Sequence, residues 1–343
     1  MNADSPRDAA LPHNTAQPHD TAPPHDAVLP SGTALPDGAA LPHGSALAGG
    51  AASPSNTTLD SNTSSPRNTT LTRQAALPLR WKSTLLLIVV SLAGLAMFLW
   101  PLFTSADPAD FQHALDAPFV FAALIPLLIV LVLAQLAEGG LDVKALALLG
   151  VLSAVNAVLR PLGAGVGGIE TVGFLLIVAG RVFGPGFGFA LGCTSLFASA
   201  LLTAGVGPWL PYQMLSCAWI GLGAGLLPDR LCGRAVRGWA ETALLAFYGI
   251  AAAYGFGFLM NMWFWPFAAG ASGGALAYIP GGALLDNLHR FVSFTLVTST
   301  ALWDTGRAIT DLVAVLVLGR PVLGLLRRAS RKASFDAVAD FTP

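Results

Sequence analysis

The sequence predicts an all-α, polytopic helical membrane protein: two N-terminal transmembrane helices followed by a six-helix core. Three observations carry this reading. The 343 residues are 54% hydrophobic and only 11% charged, with mean hydropathy +0.64, whereas a soluble domain carries about 25% charged residues. From Trp81 onward, apolar stretches recur at lengths near the roughly 20 residues that cross a bilayer. Finally, the Lys and Arg residues gather in alternate loops, the signature of a chain that crosses a membrane repeatedly.

Residues 1–79 form a tail with no apolar periodicity, rich in Pro, His, Ser and Thr. An imperfect six-residue repeat runs through Pro12-His13, Pro18-His19 and Pro24-His25 and decays toward Pro42-His43. Such a composition buries too little apolar surface to offset its ordering entropy, so a disordered cytoplasmic linker is expected. No apolar stretch follows Met1, so no signal peptide is expected. The tail histidines lack fixed partner ligands and read as linker rather than metal site.

Residues 80–143 hold the two leading spans, Ser83–Leu102 and Phe119–Leu136; residues 144–318 hold the other six. These are Ala145–Leu159, Val172–Phe183, Phe187–Ala204, Tyr212–Leu227, Thr242–Trp263 and Phe291–Leu318. Ala145–Leu159 and Val172–Phe183 are short for full crossings, which points to helices that tilt or stop beside a cavity. Residues 319–343 form a basic tail.

Charge orients the bundle. Arg73, Arg80 and Lys82 precede the first span, and the next loop carries Asp107, Asp110 and Asp116 without Lys or Arg. Lys144 precedes the third span. Arg230, Arg234 and Arg237 follow the sixth, and Arg320, Arg327, Arg328, Arg331 and Lys332 follow the last. The expectation is a plasma-membrane protein with both termini cytoplasmic, and with Arg160–Glu170, Gly205–Pro211 and Phe264–Asn287 on the outer face.

Small residues mark packing faces. Gly184, Gly188 and Gly192 fall at four-residue intervals, as do Gly221 and Gly225, a spacing that lets helix backbones approach closely in lipid. Internal helix packing is the simpler reading for these. Ala147, Gly150, Ala154 and Ala157 make a comparable stripe on the third span, where a partner-docking face competes with it. Cys193, Cys217 and Cys232 read as packing thiols, without metal-ligand spacing.

Catalytic motifs are absent from the sequence. The only lysines, Lys82, Lys144 and Lys332, follow no glycine, so there is no phosphate-cradling P-loop. Neither a Gly-x-Ser-x-Gly elbow nor a His-Glu-x-x-His zinc helix occurs. The expectation is a non-enzyme without metal or cofactor. Asp286 and His289, three residues apart at a helix start, read as a capping turn rather than a catalytic pair.

What remains is a binding site. An ionised side chain at membrane depth costs roughly 2.5–3.5 kcal/mol on insertion scales and usually has a partner or a function. Arg160 and Glu170 stand at the ends of consecutive spans and could pair across the turn, or stand in interfacial water. Trp209, Trp263 and Trp265 could form an aromatic belt or stack on a flat ligand. Gln213, Asn261, His289 and Arg290 fall at the same expected level, so apolar walls and a few polar groups converge there. On the last span Asp304, Arg307 and Asp311 share one face, in its middle and inner half. A structural ion network, with Arg181 or Glu241 as partners, is favoured over a proton relay.

The stretch from Ala145 to Leu215, with Arg-Pro at 160–161 and Gly-Pro-Trp-x-Pro-x-Gln-Met at 207–214, resembles the substrate-binding S component of energy-coupling factor (ECF) transporters, actinobacterial type. The likeness covers residues 144–318 and implies an S-component-like six-helix core. It implies a vitamin or related micronutrient bound at the outer face, with cobalamin or another corrinoid as first candidate; any flat aromatic vitamin suits the tryptophan-rich face equally. It also implies separate partners, a transmembrane coupling (T) protein and a pair of cytoplasmic ATPases. Ala147, Gly150 and Ala154 match the face that meets the coupling protein. No N-terminal Met-His motif of the nickel and cobalt type is present, and the two leading spans and long tail depart from the pattern. A self-sufficient proton-coupled secondary transporter using Asp304 and Asp311 is the rival reading.

Overall fold

In the computed structural model the described residues are 81–103, 127, 130, 134, 143–163, 167–269 and 274–333. The tail and almost all of the second span, Phe119–Leu136, lie outside them. The chain forms α1 (Trp81–Phe98), a single turn α2 (Trp100–Phe103), α3 (Val143–Gly163), α4 (Val172–Phe183), α5 (Pro185–Leu202) and α6 (Leu210–Leu226). A two-stranded hairpin, Arg230–Leu231 with Arg234–Ala235, leads into α7 (Trp239–Ala269). Then α8 (Leu284–Thr295) continues through a π-helical segment, Leu296–Asp304, into α9 (Thr305–Ala333). The fold is all-α and polytopic: five helices among the described residues are long and apolar enough to cross a membrane.

The core is built around α4. Its sequence is apolar on every face, and all twelve of its residues are buried, as expected for a helix enclosed by others. At 1.5 Å per residue it spans about 18 Å, well short of the hydrocarbon thickness of about 30 Å; its shortness was legible in the sequence. Gly184 (φ 100°) ends α4 and Pro185 opens α5 in the first helical turn. Glycine supplies the positive φ, and proline sits where its missing N–H costs nothing.

Glycine contacts set the packing of α5 on α6. A Cβ added at Gly188 would strike the Gly221 carbonyl, and one at Gly221 would strike the Gly188 carbonyl. Gly192 meets the backbone of Cys217 and Ala218, and Gly225 meets Pro185. The four-residue spacing therefore serves internal packing. Cys193 and Cys217 are buried free thiols at this contact, and Cys232 is exposed in the hairpin turn.

Two span expectations and one residue of the small-residue stripe need correction. The third span is not short: α3 carries on through Pro161 for 21 residues, about 31 Å of helix. Proline falls in its last turn, where only the one intrahelical bond to the Ala157 carbonyl is lost. Ala157 leaves the exposed stripe and is buried. Ten residues past Ala147 it lies about 80° around the helix, at the edge of the inward face. The last span also starts elsewhere. One helical run extends over Leu284–Lys332, 49 residues, about 74 Å if continuous and more than twice the hydrocarbon thickness. The run is longer than the bilayer core, and Asp304 lies near its middle.

Candidate functional site

The helices bring two polar centres together, one at each end of the bundle. The first is assembled by the C-terminal end of α3, the N-terminal ends of α4 and α6, and the start of α9. Arg160 Nη2 donates to Gln213 Oε1 at 2.8 Å. Arg307 Nε donates to Glu170 Oε2 at 2.7 Å and Nη1 to Asp304 Oδ1 at 3.1 Å. The guanidinium also lies 4.6 Å from the Phe256 ring centre. Close loop contacts hold this end: Gly168 abuts the Trp303 backbone and Gly306 abuts the Gly167 carbonyl.

Arg160 and Glu170 therefore do not pair with each other. Each is taken by a residue distant in sequence, because the turn between them presents them to different neighbours, α6 and α9. Arg160 is notable for the neutrality of its partner: no carboxylate meets it among the described residues. A half-buried guanidinium held by an amide keeps most of its charge available to an anionic or hydrogen-bonding ligand.

Below Arg160, one face of α3 carries a polar stripe into the bundle. Ser153 meets Thr194 at 2.6 Å and Asn156 Nδ2 donates to Ser195 Oγ at 3.0 Å. Asn156 Oδ1, Ser199 Oγ and Ser216 Oγ are buried without a hydrogen-bond partner. Such orphans are uncommon in folded chains and mark places where water or ligand completes the bonding. The opposite face of α3 holds Ala147, Gly150, Val151, Ala154 and Val155, all exposed.

The aromatic residues divide. Trp263 is buried and stacks flat on Tyr212, with ring centres 4.6 Å apart and planes 1° apart, joining α7 to the start of α6. Trp209 is 43% exposed at the N-cap of α6. The Asn261 Nδ2, two residues before Trp263, is buried without a partner. Trp265 belongs to a second cluster with Met262, Tyr278, Phe291 and Phe294, and its Nε1 donates to the Leu276 carbonyl at 2.8 Å.

His289 and Arg290 stand on α8 by that second cluster. Arg290 Nη1 holds the Gly274 and Ala275 carbonyls at 3.1 and 3.0 Å, and His289 is exposed. No hydrogen bond or ion pair joins either to the Arg160–Gln213 pair among the described residues. A separate apolar crevice of about 340 Å³ opens beside the π-helical segment, lined by Tyr254, Phe258, Phe291 and Leu296 among others. None of the expected site residues lines it.

The second polar centre lies at the other end. Arg181 Nε donates to Glu241 Oε1 at 2.8 Å, Nη1 to the Leu227 carbonyl at 2.8 Å, and Nη2 meets Asp229 at 3.0 Å. Arg327 Nη2 reaches both oxygens of Glu241, at 2.6 and 2.8 Å. This group is charge-balanced, two cations with two anions, and ties α4, α7 and α9 together. Arg181 and Glu241 are thus not the partners of Asp304, Arg307 and Asp311. Arg327, which the sequence reading placed only in the basic segment after the last span, completes this centre; it lies 20 residues, about five and a half turns, from Arg307, so α9 reaches both centres. No family model, curated protein or solved structure matches this chain.

Proposed function

We propose that the chain is the substrate-specific membrane subunit of an ECF-type importer. It binds a vitamin or related micronutrient at the end where Arg160, Gln213, Glu170, Trp209 and Trp263 gather. Separate ATPases would power uptake through a transmembrane coupling protein. The observation that carries this reading is the two-sidedness of α3. Its inward face delivers Ser153, Asn156 and Arg160 to the polar centre, while Ala147, Gly150 and Ala154 lie exposed along the outward face. One helix then links ligand end and partner surface. In this reading the membrane is the plasma membrane, both termini are cytoplasmic and the Arg160 end faces outward, as the loop charges require.

A Cβ added at Gly150 meets nothing within 4 Å, and the same holds at Gly255 on α7. Gly150→Leu should insert and fold normally yet lose co-purification with the coupling protein and support no uptake. Gly255→Leu should keep both. Equal co-purification of the two variants would remove α3 as the docking face.

One observation favours the rival, a proton-coupled secondary transporter using Asp304 and Asp311: the Asp311 Oδ1 is buried without a partner. The purified chain alone, in vesicles under a pH gradient, separates the two readings. Transport without ATPases belongs to the rival only.

A further inference from the structure

The centre at the start of α9 holds more acid than base. Glu170 and Asp304 both bind Arg307, through different nitrogens. Asp304 is further held by Ser299 Oγ at 3.0 Å. Asp311 lies one turn beyond Arg307 on the same face and is 1% exposed. It accepts from the Phe174 backbone N–H, in the first turn of α4. The second carboxyl oxygen, Oδ1, has no hydrogen-bond partner.

The packing around Asp311 is closed. A Cβ at Gly173 would strike its carboxyl, and one at Gly249 of α7 would touch its Cβ. The charged groups facing it are Glu170 from the α4 side and Arg307 from its own helix, with Asp304 a further turn away. From α6, the Cys217 thiol lies in the field of the same Glu170 and Arg307. Across α7 the neighbour is Gly249, and the adjacent Tyr248 hydroxyl is engaged elsewhere, donating to the Ile220 carbonyl at 2.7 Å.

With all three acids ionised, the three carboxylates outnumber Arg307, and Arg160 at the same end, held by Gln213, offsets them only in part. Arg307 is already committed to two carboxylates, and a single backbone N–H does not balance a third. Burial of an unpaired carboxylate is costly enough that such a group takes up a proton or finds a cation. No set of three metal-ligating side chains occurs among the described residues, and Gly173 and Gly249 pack directly against the Asp311 side chain. A proton fits.

We propose that Asp311 is the proton-binding group of this cluster, held in the packed bundle as the neutral acid with its proton on Oδ1. When the first turn of α4 separates from α9, water reaches the carboxyl and the proton leaves to it, so the group gains one negative charge. Glu170 lies two residues before α4, so the same separation pulls on the Glu170–Arg307 bridge beside Arg160. Proton release and rearrangement of the ligand end are thereby linked. This holds whether the chain is an importer subunit or a transporter in its own right.

Infrared spectroscopy of the full chain in lipid nanodiscs tests it. Protein with ¹³C-labelled aspartate side chains should show, at neutral pH, a protonated-carboxyl band displaced from that of unlabelled protein. The band should vanish in Asp311→Asn and persist in Asp286→Asn, an exposed position. Because asparagine is the uncharged counterpart and can still accept from Phe174, Asp311→Asn should shift the thermal midpoint by no more than about 2 °C. A band that survives Asp311→Asn overturns the proposal. So does the absence of any label-sensitive band in the unmutated protein, a result that needs no variant to fold.

Discussion

At the scale of single residues, the two arginines of the ligand end play unequal parts. Arg307 bridges two carboxylates, one of them fully buried, so its removal strands both. Arg307→Met should destabilise by about 3–5 kcal/mol, the usual cost of leaving buried charge unpaired, read as a fall in the thermal midpoint in detergent. Arg160 has only a neutral amide partner. Arg160→Gln should cost about 1 kcal/mol of stability, near the net value of one hydrogen bond, while uptake is lost. If uptake survives, Arg160 has no part in ligand binding. The identity of these polar residues was legible in the sequence, but their pairing was not. Nearness across a turn favoured Arg160 with Glu170, whereas the side chains point to α6 and α9, and only the tertiary arrangement of four helix ends brings Glu170 to Arg307.

At the scale of elements, glycine spacing and helix length were the readable features. Gly188 and Gly221 were marked by interval alone, and each lies against the other's carbonyl. Gly188→Val should therefore destabilise by at least about 1–3 kcal/mol through overpacking, whereas Gly150→Leu, facing open space, should leave the midpoint near its original value. An equal loss in both would mean that α5 and α6 do not meet backbone to backbone. Helix ends were harder to read. The apolar stretch ends at Leu159, yet α3 runs on through Arg160 and Pro161 to Gly163. The run from Leu284 to Lys332 has no break that hydropathy can see, so the sequence window of Phe291–Leu318 missed both ends of the helix. Phase along a long helix is fixed by what packs on it, here Gly167, Gly168 and Gly257, and composition carries no record of that.

At the scale of the whole molecule, α4 and α9 join two centres of different character. The Arg181–Glu241–Arg327 centre is charge-balanced by Asp229 and anchored on the buried Arg181–Glu241 pair, a clamp at the basic end of the bundle. The Arg307 centre carries surplus acid beside an arginine with a neutral partner and several buried polar orphans. A balanced ion cluster at one end and unsatisfied polarity at the other is the division that the proposed reading, a ligand at one face and partners along the side, calls for. The sequence holds no P-loop, and under the proposed reading separate ATPases supply the energy. Affinity purification of the unmodified full chain from its native membranes, in mild detergent with every co-purifying protein identified by mass spectrometry, tests that division most directly. Recovery of a transmembrane coupling protein with a pair of ATPases is the predicted result. Recovery of the chain alone, transporting in vesicles under a pH gradient without ATPases, would contradict it.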